Sequence, residues 1–68
     1  VTGFIEIGRI SDDSKTTVRT SLRLSAITEV RDSELTDAGW TQPAVVFIGY
    51  RFNHISQEDA DRIREALK

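Results

Sequence analysis

The amino-acid pattern predicts an α+β fold: a small antiparallel β-sheet of about four strands with one C-terminal α-helix packed on one face. Three observations carry that expectation. Short runs in the first half alternate apolar and polar residues with the period of two that a half-buried strand requires. A continuous apolar run, AVVFI at 44–48, reads as a central strand. The last segment, SQEDADRIREAL at 56–67, has a capping serine followed by apolar residues at helical spacing.

Taken in order, residues 4–10, FIEIGRI, form a strand in which Ile5 and Ile7 alternate with Glu6 and Gly8. The polar run SDDSKT at 11–16 has the composition of a hairpin connection. The strand at 17–24 follows, with Val18, Leu22 and Leu24 on the inward parity and Arg19, Ser21 and Arg23 on the outward one. Parity then fails, because Leu24, Ile27 and Val30 are spaced by three. A bulge or a single helical turn at Ser25–Ala26 restores the apolar side to the core, and a short strand continues over 27–31.

Residues 32–43, DSELTDAGWTQP, are the least regular segment and are expected to be a long loop. Trp40 within it reads as a lid packed over an open end of the core; its other reading is an aromatic anchor for a partner. The run at 44–48 is expected to be buried on both faces. Gly49 and Tyr50 suit a two-residue turn with glycine first, or, alternatively, a bulge in one long bent strand. Residues 51–55 then pair back, with Phe52 and Ile55 as core contacts. The helix at 57–67 has Ser56 as its N-cap and Asp59 as the second member of a capping box. Its acids lie early and its bases late, as the helix dipole favours. Ala60, Ile63 and Leu67 form its narrow apolar stripe.

Sixty-eight residues make one domain, 1–68, and a chain this short buries only ~60% of its unfolded surface. No cysteine is present, so neither a disulfide nor a thiolate metal site supports the core. One histidine cannot build a zinc centre, and no phosphate-binding glycine loop occurs. No cofactor and no metal are therefore expected; an efficient core or a partner chain remains as the route to stability, and self-association is the favoured one. Nine basic and eleven acidic residues give a formal charge of −2, which advertises neither a polyanion nor a membrane surface. No apolar run approaches the ~18 residues of a membrane span, and a cytoplasmic location is expected.

The stretch IGYRFNHIS, 48–56, holds the only histidine and the only tyrosine. A catalytic reading of His54 with Ser56 and Asp59 fails on geometry, since neighbours along one strand do not converge as a triad requires. Asp12 and Asp13 offer too few oxygen ligands for a calcium loop. An RNA-recognition strand is excluded because no helix separates the first two strands. Arg9, Arg19, Arg23 and Arg51 all lie on expected strands, and on one shared face they would make a phosphate-binding patch. The candidate partner-binding residues are Arg19, Arg23, Trp40, Tyr50, Arg51, Asn53 and His54.

The order of elements resembles the small FlbD-type proteins of flagellar operons. The matching residues are Phe4–Ile7, the step Leu24-Ser25-Ala26-Ile27-Thr28-Glu29-Val30, the strand Val45–Ile48, and Ser56 with Glu58, Asp59 and Ile63. The resemblance spans most of the chain, although residues 32–43 exceed that family's connecting turn. It implies a small non-enzymatic accessory protein and assigns no functional residue.

The expected function is a non-enzymatic binding or assembly module of bacterial or phage type that acts as a homo-oligomer, with its protein partner undefined. The alternative is a nucleic-acid-binding protein that uses an arginine-rich sheet face.

Overall fold

The computed structural model describes residues 3–11 and 15–68. Its antiparallel strands divide among three sheets, and one C-terminal helix packs against two of them. β1 (Phe4–Ile10) and β2 (Thr17–Arg23) pair along their whole length, from Phe4 opposite Arg23 to Ile10 opposite Thr17. Directly opposed residues share a face, so Ile7 and Leu22 meet the core on the same side, and both are buried. Beyond the ladder the Ser11 N–H donates to the Thr16 carbonyl at 2.9 Å. Residues 12–14 of the expected SDDSKT turn, including the Asp12–Asp13 pair, lie outside the described residues.

The break in parity is a single 3-10 turn at Leu24–Ala26, closed by the Ile27 N–H donating to the Leu24 carbonyl at 3.2 Å. It turns Leu24 into the core and leaves Ile27 and Val30 packed against it. The following strand, β3 (Glu29–Arg31), starts two residues later than the sequence suggests. Ile27 closes the turn, and the Thr28 N–H and hydroxyl both donate to the Phe47 carbonyl, at 2.9 and 3.2 Å.

Residues 32–43 are more ordered than a loop. β4 (Glu34–Leu35) and β5 (Thr41–Gln42) form a small hairpin. Thr36 closes it by donating its N–H to the Trp40 carbonyl at 2.8 Å and its hydroxyl to the same oxygen at 2.9 Å. Gly39 sits in the left-handed region, φ 89°, which only a residue without a Cβ adopts freely. The closure depends on threonine and glycine chemistry rather than on apolar alternation, which is why the sequence pattern missed it. Trp40 is 55% exposed beside this turn, so it is not a lid over the core.

β6 (Ala44–Ile48) is the central strand of a three-stranded sheet, between β3 and β7 (Arg51–Ile55). Ile48 lies opposite Arg51, which makes Gly49-Tyr50 a two-residue turn and removes the long-strand alternative. Gly49 has φ 65°, as that turn requires. Ala44 and Val46 are fully buried, but Val45 and Phe47 on the other face are only half-buried. The strand is thus central without being covered on both faces. Phe52 also departs from expectation. It lies opposite Phe47 on the uncovered face and is 54% exposed, whereas Ile55 is fully buried. Val18 has inward parity but is 45% exposed, because it faces exposed Arg9 towards the far end of the first hairpin.

The helix, α1 (Gln57–Leu67), buries Ala60 and Ile63 against Ile7, Leu22, Ala44, Val46 and Ile55. Ser56 caps it by accepting the Asp59 N–H at 3.1 Å. Asp59 does not complete a capping box. Its Oδ2 accepts the Gly8 N–H of β1 at 3.0 Å, and its Oδ1 accepts from Arg62 at 2.9 Å. Arg62 also donates to the Glu6 carbonyl at 3.1 Å. On the other flank Gln57 accepts from the Ser33 N–H at 2.7 Å and donates to Asp32 at 2.9 Å. Arg64 pairs with Asp32 and donates to the Val30 carbonyl at 3.1 Å. Apolar burial and these bridges to strand backbone together dock a helix too short to persist alone in water.

Candidate functional site

Strand register builds the site. Two rows of cross-strand neighbours cross the uncovered face of the β3–β6–β7 sheet: Glu29, Phe47 and Phe52 in one, Arg31, Val45 and His54 in the other. The Phe47 and Phe52 rings are 5.9 Å apart, and the Phe52 and His54 rings meet edge to face at 5.4 Å. The Arg31 guanidinium lies 5.0 Å over the Phe47 ring and pairs with Glu29. This face is therefore aromatic at its centre, and its one cation is already matched by an acid. Val45 and His54 continue into a cleft of about 400 Å³ that Trp40, Pro43, Gln42 and Ile10 also line.

Of the candidates read from the sequence, Trp40 and His54 are brought together by that cleft. Tyr50, 92% exposed in its turn, borders a shallow hollow with Arg51, Phe52 and Asn53. The pleat separates Arg51 and Asn53 from His54, because alternate residues of β7 point to opposite faces. Phe47, Phe52, Val45 and Arg31 were missed as site residues. The turn at Gly49-Tyr50 carried the signal, since pairing Ile48 with Arg51 sets Phe47 opposite Phe52.

The arginines do not share one face. Arg19 and Arg23 lie on the outer side of the first ladder, where Arg19 pairs with Glu6 and Arg23 stacks 5.5 Å from the Phe4 ring centre. Arg9 points to the opposite side of that ladder. Arg51 projects from the core-side parity of β7 and is exposed. The premise of a single phosphate-binding face is thus corrected by strand parity.

The residues of the rejected triad have separate roles. Ser56 caps the helix, Asp59 holds Gly8 and Arg62, and His54 rests its ring on Phe52. Among the described residues, Asp32 has a displaced acidity. The Gln57 amide and then the Arg64 guanidinium hold its carboxyl below the ordinary 3.8. Among the described residues no group of three or more His, Asp or Glu side chains is arranged to hold a metal ion. None of their helices is long and apolar enough to cross a membrane. Comparison with protein-family models, with curated proteins and with solved structures returns no match.

Proposed function

We propose that this chain is a small non-enzymatic binding or assembly module that works as a homo-oligomer. One observation carries the reading, the imbalance between core and surface. The buried apolar core among the described residues is eight side chains, two of them alanine. Against it, Phe4, Val18, Leu35, Trp40, Tyr50 and Phe52 remain at least 45% exposed. Scattered apolar residues on a surface are ordinary, but contiguous ones mark contact sites. Here Phe52 adjoins Phe47, and His54 and Val45 lead from them to Trp40. Aromatic side chains gathered in this way are the usual anchors of protein interfaces.

The resemblance to FlbD-type accessory proteins supports the same non-enzymatic role. The rival nucleic-acid reading is weaker. Its arginines are divided between faces, and Arg19, Arg31, Arg62 and Arg64 each have an acidic partner. Sedimentation velocity across the micromolar range tests the proposal. The expected result is a mass above that of the 7.7 kDa chain that rises with concentration. A stable, well-folded monomer at every concentration would overturn it.

A further inference from the structure

Outward main-chain groups at a sheet edge need partners, and an undressed edge is a template for another strand. Side chains dress two of the edges. The Glu6 carbonyl and Gly8 N–H on the outer edge of β1 are taken by Arg62 and Asp59, and the Val30 carbonyl of β3 is taken by Arg64. β7 runs alongside β1. β2 differs. The bonds from Leu24 to Gly3 and from Ser11 to Thr16 fix the phase of the ladder, so even-numbered residues of β2 face β1. The N–H and C=O groups of Thr17, Arg19, Ser21 and Arg23 therefore point outward. None has a partner among the described residues. The strand contains no proline and pairs with β1 without a bulge.

We propose that β2 pairs antiparallel with β2 of a second copy, about a two-fold axis through Thr20. This inference rests on the homo-oligomer reading and adds a contact separate from the aromatic face of β6 and β7. Outward groups sit only on odd-numbered residues, so few symmetric registers exist. An axis at Arg19 places that arginine opposite itself, and an axis at Ser21 places Arg19 opposite Arg23. Both set like charges directly across the ladder, which is unfavourable. The Thr20 axis uses all seven residues of the strand and avoids both clashes. It sets Arg19 opposite Ser21 and Thr17 opposite Arg23 on the outer side. On the core side it sets Thr20 opposite Thr20 and Val18 opposite Leu22 of the second copy. Val18, 45% exposed in the single chain, thereby gains an apolar neighbour beside the second core.

The chain has no cysteine, which makes the register directly testable. A residue on the axis faces its own copy in a non-hydrogen-bonded pair, with Cα atoms about 4.5 Å apart, within disulfide range. Under mild oxidation Thr20→Cys is expected to give a covalent dimer that keeps the wild-type circular dichroism. Tyr50→Cys, at a side chain 92% exposed, controls for random collision, and Phe52→Cys reports pairing through the aromatic face. A second measurement avoids the core side altogether. Ser21 faces Glu6 within one chain but Arg19 across the proposed contact. Ser21→Glu should tighten association and Ser21→Lys weaken it, by about two- to thirty-fold each over the two symmetric pairs. Pairing within the chain predicts the opposite order of stability, so the two effects are separable.

Selective cross-linking at Thr20 with that charge order supports the edge contact. An oligomer by sedimentation that cross-links through Phe52→Cys but not Thr20→Cys overturns the edge contact and leaves the homo-oligomer standing. A monomer with no selective cross-link overturns both.

Discussion

Replacing Asp59 by alanine removes the carboxylate that joins the first turn of the helix to the edge of β1. In the intact chain Oδ2 accepts the Gly8 N–H at 3.0 Å, and the Asp59 side chain is only 16% exposed. A hydrogen bond to a charged group contributes about 1.5–3 kcal/mol, and water replaces this acceptor only in part. Losing a negative charge near the helix N-terminus adds about 0.3–1 kcal/mol. Alanine's better helix propensity returns about 0.5 kcal/mol. The net cost is about 2 kcal/mol, set against a total of roughly 3–10 kcal/mol for a chain of this length. Arg62 keeps its bond to the Glu6 carbonyl, so the helix stays docked while the strand edge loosens. In a domain of this size the midpoint of thermal unfolding should fall by about 8–16 °C. Urea and thermal unfolding followed by circular dichroism at one protein concentration measure the loss, and the Gly8 amide should exchange faster with solvent. Glu58→Ala is the control, because that neighbouring acid is exposed and also lies in the first helical turn. If the two variants unfold alike and Gly8 keeps its protection, the strand-pinning role of Asp59 is wrong.

Two further predictions follow from local geometry. Gly49→Ala should cost about 1–2 kcal/mol in denaturant unfolding, because φ 65° penalises a Cβ even though no atom lies within 4 Å of one placed there. Gly49→Asn should cost less, and equal stability of all three chains would refute a backbone origin. Asp32 binds a proton less readily in the fold than in the unfolded chain, so its contribution is present above 3.8 and is lost as pH falls through the lower folded value. Asp32→Asn should therefore flatten the decline in stability below about pH 4, and an unchanged acid limb would contradict the pairing with Gln57 and Arg64.

Much of the architecture is local chemistry and was legible for that reason. Ser56 caps whatever helix begins at Gln57, and Gly49 turns the chain whichever strands flank it. The spacing of Leu24, Ile27 and Val30 demanded a turn because a strand alternates by two. The hairpin around Trp40 was hidden, since a threonine hydroxyl and a left-handed glycine close it without apolar periodicity. Apolar identity also misplaced Phe52 and Val18. A period of two assigns residues to faces but does not say which faces find cover.

The class of fold, the helix with its cap and the turn at Gly49-Tyr50 follow from residues near one another in the chain, and the lack of thiol chemistry follows from composition. Long-range packing instead sets the bond from Gly8 to Asp59, the separate faces of the arginines, the uncovered aromatic surface of Phe47 and Phe52, and the bare edge of β2. Each of those depends on strand register and on where an eleven-residue helix comes to rest. Contacts between residues some fifty positions apart, such as Gly8 with Asp59, settle both.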